Sequence, residues 1–135
     1  MDPSLKDGDQ VLANQSAYDK YPPSRGDVVV LEDPSDITRI ELKRVIGLGG
    51  EEIMFCDGLL YVNGRSLEEP YLRGLPPTLG LISQTWKLNQ SECFVMGDNR
   101  VKSIDSRRYG PVRVESVVGR VWLCYWPPKS WGQVK

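Results

Sequence analysis

Gly97-Asp98-Asn99-Arg100-Val101-Lys102-Ser103-Ile104-Asp105-Ser106-Arg107-Arg108-Tyr109-Gly110 follows directly on an apolar run, Cys93-Phe94-Val95-Met96. Four apolar residues in succession suit a buried strand. The run stops at Gly-Asp-Asn because glycine supplies a positive φ and Asp and Asn side chains bond their own backbone. Beyond that stop stand two hydroxyls (Ser103, Ser106), the carboxylate of Asp105 and the fixed donor forks of Arg100, Arg107 and Arg108. So dense a set of donors and acceptors suits a hydrogen-bonded platform at a strand end, where site residues are often held. A solvated hairpin turn with surface ion pairs, each contributing ~0–1 kcal/mol, has the same composition.

Working outward, the 135 residues make one domain, spanning 1–135 and large enough for a real core. Thirteen glycines and ten prolines favour short strands joined by turns over long helices. A net charge of −1 argues against nucleic acid as a partner. The chain has no histidine, so Ser-His-Asp and Cys-His chemistry is excluded. Three cysteines, Cys56, Cys93 and Cys124, fit neither a disulfide framework nor a metal-ligand spacing, and no metal is expected. Cys93 and Cys124 lie in apolar runs and read as buried thiols. No run of about 18 apolar residues is present, so this stretch of chain is not expected to cross a bilayer.

The expected elements are strands. Gln10–Ala13, Val28–Leu31, Thr38–Ile46, Glu52–Phe55, Leu59–Val62, Cys93–Met96 and Gly119–Trp126 are bounded by Gly, Pro, Asp and Asn turns. Asp57-Gly58 marks a hairpin, and a short helical turn is expected near Glu115. Residues 65–90, with Pro70, Gly74, Pro76-Pro77 and Gly80, read as a long irregular insertion. In Thr38–Ile46 the alternation puts Ile40, Leu42, Arg44 and Ile46 on one face and Glu41, Lys43 and Val45 on the other. By alternation alone Lys43 lies on the wetter face of a half-buried strand.

Gly97 to Arg107 resembles the C-terminal signature of the type I signal peptidases, Ser/Lys proteases that remove secretory leader peptides: Gly-Asp-Asn-Arg, two variable residues, Ser, one variable residue, Asp-Ser-Arg. Lys43-Arg44-Val45-Ile46-Gly47 and Met1-Asp2-Pro3-Ser4-Leu5 match two further motifs in the right order, so the resemblance spans nearly the whole chain. It implies a mainly β, coiled β-sheet fold with little helix, and a serine endopeptidase that uses no cofactor. Lys43 corresponds to the general base and Ser103 to the serine that orients it. Arg44, Asp105, Arg107, Asp98 and Asn99 correspond to site support, and Met1, Pro3, Ser4 and Leu5 to the substrate-binding segment. A lysine serving as base must lose its proton near neutral pH. That requires an amine set among apolar atoms and hydroxyls rather than carboxylates. Lys102 replaces a common Asn and is expected to point to solvent.

The family's nucleophile motif, Ser-Met, one variable residue, Pro-Thr-Leu, aligns without gaps to Met1–Leu5, with Ser4 at the Thr position. The nucleophilic serine therefore falls one position before Met1, and the chain as given is expected to be inactive, as a truncation just after the nucleophile. The alternative is a non-catalytic relative that binds or chaperones exported or surface proteins. The resemblance further implies an exported preprotein as substrate, with small residues three and one before the cut. It also implies a place at the extracytoplasmic face of the bacterial cell membrane, with this fragment itself soluble. Trp126 and Trp131 are expected contacts to the membrane surface.

Overall fold

A computed structural model of the chain describes residues 1–72, 74–75 and 83–135. The strands are β1 (Gln10–Asn14), β2 (Val28–Asp33), β3 (Asp36–Gly47), β4 (Glu52–Cys56), β5 (Leu59–Val62), β6 (Arg65–Ser66), β7 (Gln84–Lys87), β8 (Glu92–Met96), β9 (Val112–Arg113), β10 (Val117–Trp126) and β11 (Gly132–Gln133). The one α-helical element among the described residues, α1 (Ser106–Tyr109), is a single turn. A 3-10 turn at Val114–Ser116 answers the short helix expected near Glu115.

Two open antiparallel sheets result, as the mainly β reading requires. The larger has the order β1-β10-β2-β3-β8-β9, with β11 on β10, and the smaller has the order β6-β5-β4-β7. They are joined by one apolar cluster: Ile53, Phe55 and Leu60 of the small sheet pack with Ile46, Phe94 and Met96 of β3 and β8. A second cluster holds Val29, Leu31, Val45, Cys93 and Val95. A third packs Leu5 against Val28, Val121 and Cys124, which anchors the N-terminal segment to the large sheet.

Within 65–90, the stretch expected to be irregular, the described residues include β6, β7 and a 3-10 turn at Pro70–Leu72. β7 pairs with β4 from Glu52↔Lys87 to Phe55↔Gln84 and so completes the small sheet. Pro76-Pro77 and Gly80 lie outside the described residues.

β3 corrects the expectation for Lys43. Its first five residues, Asp36–Ile40, are all exposed and its last five, Lys43–Gly47, are all buried. Burial thus changes along the strand and not across it. The cause is pairing: β2 runs beside β3 over most of its length, whereas β8 pairs only with Arg44–Gly47. Where both neighbours and both clusters meet, each face is covered, and Lys43 sits at the border with 8% of its surface exposed. Before that border the β3 edge facing away from β2 is unpaired among the described residues.

Candidate active site

The platform begins where β8 ends. Gly97 is required there by close approach: a Cβ at that position would lie 2.6 Å from Ser103 Cβ and nearer still to its hydroxyl. The turn that follows is closed by the Asn99 carbonyl, which accepts from the Ser103 amide at 2.9 Å and the Lys102 amide at 3.2 Å. Asn99 thereby fixes Ser103 over Gly97. Lys102 is exposed, as its polarity demands.

Asp105 caps α1. Its carboxylate accepts from Arg107 Nε at 2.8 Å, Arg107 Nη2 at 2.9 Å and the Gly97 amide at 3.1 Å. Burial alone would push this carboxyl up. The hydrogen bonds and charge of Arg107, with the Gly97 N–H, outweigh that and hold it below the usual carboxylate range. Ser106 Oγ accepts from the Val95 amide at 2.9 Å and ties the helical turn back to β8.

Arg44 and Asp98 form the most buried ion pair, with side chains 1% and 0% exposed. Two parallel bonds of 2.8 Å join them, Nε to Oδ1 and Nη2 to Oδ2, the fork geometry that suits guanidinium and carboxylate. Arg44 Nη1 donates to the Gly26 carbonyl at 2.8 Å and Nη2 donates to Ser4 Oγ at 3.1 Å. Ser4 Oγ in turn donates to Asp98 Oδ2. The N-terminal segment is therefore bolted to the platform through Ser4.

Three participants had no signal in the motifs, and Arg100, itself a motif position, had no role assigned. Tyr71 lays its ring 4.1 Å from the Arg44 guanidinium carbon. Its hydroxyl donates to Glu69 Oε1 at 2.7 Å. Glu69 holds both terminal nitrogens of Arg100, with Nη1 at 2.8 Å. Arg100 Nε donates to the Gly97 carbonyl at 3.1 Å. The connection between the sheets thus braces the platform from behind. The third residue outside the motifs is Glu41, whose Oε2 lies 3.1 Å from Lys43 Nζ. A signal for it existed: alternation puts Glu41 and Lys43 on one face of β3.

Lys43, Leu42, Gly97, Asn99 and Ser103 line one cleft of about 480 Å³, together with Met1 and Leu5. Pro3 is exposed and does not line it. Lys43 Nζ faces the Glu41 carboxylate, and Ser103 Oγ, although buried, has no hydrogen-bond partner. The cleft therefore brings together an amine, a hydroxyl on a rigid turn and the segment starting at Met1. No group of His, Cys, Asp or Glu side chains among the described residues is arranged to hold a metal ion.

Known proteins share this organisation. The family profile described as "Signal peptidase, peptidase S26" matches residues 1–126. The chain is 36% identical over 141 residues to signal peptidase I of Bacillus caldolyticus, covering 96% of this chain and 76% of that protein. It is 34% identical to signal peptidase IB of Staphylococcus aureus, covering 94% of this chain and 73% of that protein. A crystal structure of a signal peptidase I from Enterococcus faecalis superposes with a TM-score of 0.64 at 33% identity, over 73% of this chain and 95% of the other. Motif order, fold and sequence similarity over most of the chain agree, and the chain belongs to the type I signal peptidase family, whose members are serine proteases that remove signal peptides.

Proposed function

We propose that this domain carries out signal-peptide removal by a Ser/Lys dyad in which Lys43 is the general base. The observation that carries the reading is the cleft itself. Lys43 is 8% exposed where β3 enters the core, and the same cleft is lined by Ser103, held on Gly97. In this reading the nucleophilic serine of the motif that Met1–Leu5 resembles stands directly before Met1, which also lines the cleft.

In the reaction, the Lys43 amine takes the proton of that serine as its oxygen bonds to the scissile carbonyl carbon. The tetrahedral intermediate collapses with cleavage of the C–N bond, and the lysine returns the proton to the departing amine. Water, deprotonated by the same amine, then hydrolyses the acyl-enzyme. Ser103 orients the amine. Arg44, Asp98, Asn99, Asp105 and Arg107 hold the frame and move no protons.

The substrate is an exported preprotein with small residues three and one before the cut. The unpaired edge of β3 beside Lys43 supports its binding as an added strand. Trp126 and Trp131, 52% and 69% exposed, support contact with the membrane surface at the extracytoplasmic face. No helix among the described residues is long and apolar enough to cross a membrane.

The test is cleavage of a preprotein by the chain extended upstream with the serine and its flanking residues. The expected result is one cut after a small-x-small site, abolished by Lys43→Ala. Preprotein bound but uncut by the folded, extended chain would overturn the dyad and favour the non-catalytic binder.

A further inference from the structure

Among the described residues, three buried polar side-chain atoms have no hydrogen-bond partner: Glu41 Oε2, Ser103 Oγ and Tyr109 Oη. Buried polar atoms nearly always find partners, so each such exception asks for a cause. Two of the three bear on Lys43. Glu41 Oε2 is 3.1 Å from Lys43 Nζ, and Ser103 lines the cleft that Lys43 lines. Burial and then the Glu41 charge raise the Tyr109 hydroxyl above its ordinary range.

We infer that Glu41 is a positioning residue that competes with Ser103 for the Lys43 amine, so that the arrangement seen here is the resting one and the working one has the amine turned to Ser103. This rests on the Ser/Lys reading above. Ser103 cannot come to the amine, because Gly97 lies against it and its amide is bonded to Asn99. The amine can come to Ser103, because a lysine stem is flexible. Charge explains why the move matters. A carboxylate beside an amine stabilises the charged form, whereas a general base must be uncharged. The Glu41 and Lys43 side chains are 22% and 10% exposed, so water screens the pair only in part. When the amine turns, the orphaned Ser103 hydroxyl gains a partner and the amine leaves the carboxylate that holds its charge.

The experiment compares Glu41→Gln and the parent in the serine-bearing chain, with kcat and KM measured separately on a preprotein. Alongside it, a crystal structure of Glu41→Gln is determined. Glu41→Gln is expected to raise kcat about fivefold, the size of one close, partly solvated charge pair, with KM unchanged. The crystal structure is expected to show Lys43 Nζ within hydrogen-bond reach of Ser103 Oγ. An unchanged or lower kcat in Glu41→Gln, or a Ser103 hydroxyl still without a partner there, overturns the inference. A serine-bearing parent that cuts nothing refutes the peptidase reading instead, and the crystal structure alone then decides the role of Glu41.

Discussion

Single residues in the platform act through charge they cannot share with water. Asp105 is 1% exposed and its carboxyl is held below the usual range, mainly by Arg107 working against burial. A carboxyl depressed on folding contributes stability that is fully present above its unfolded value of 3.8 and is lost as pH falls through the folded value. Asp105→Asn should therefore cost about 3 kcal/mol at neutral pH, since Arg107 loses its partner. The penalty should shrink on acidification below that value, as urea titrations at several pH values would show. Cys93 tests burial separately. Desolvation pushes its thiol up to about 12. An alkylating reagent at mildly alkaline pH should label Cys56, which is partly exposed, before Cys93, which should react only on unfolding. Mass mapping of the labelled peptides decides this. At this scale the motifs named Arg44, Asp98, Asp105 and Arg107, but not how they pair. The Arg44–Asp98 bond spans 54 positions, which local spacing cannot reveal.

Among elements, β3 teaches most. Alternation is a sound guide where a sheet has one wet face, yet β3 passes from an exposed hairpin arm to a doubly covered core segment within 12 residues. Its period was legible in the sequence, and its covering was not, because covering depends on where β8 stops pairing. Of the other strands, β1, β2, β4, β5, β8 and β10 were legible to within two residues, since apolar runs between Gly and Pro turns leave little choice, whereas the short β6, β7, β9 and β11 were not. The brace formed by Glu69 and Tyr71 was not legible, because its partners are 31 and 27 positions away and its own segment carries no periodic pattern. Glu69→Ala leaves Arg100, whose side chain is 3% exposed, without its carboxylate. The expected cost is roughly 3 kcal/mol in a denaturant melt, as for other broken buried pairs. A loss below about 0.5 kcal/mol would mean that the brace carries no strain of the fold.

For the whole molecule, an open sheet leaves a polar cleft at one place and aromatic side chains at another. Trp122, Trp126 and Trp131 are all more than two-fifths exposed, so the C-terminal aromatics are not core. If they meet the headgroup layer, Trp126→Ala with Trp131→Ala should weaken binding to anionic lipid vesicles several-fold in a sedimentation assay while leaving the melting temperature unchanged. The central claim is that Lys43 and Ser103 work as one catalytic unit. A double-mutant cycle tests it: Lys43→Ala, Ser103→Ala and the pair together, each in the serine-bearing chain, with preprotein cleavage as the readout. Residues acting as a unit give grossly non-additive losses, so the double variant should be no slower than Lys43→Ala alone. Losses that multiply independently would contradict the account.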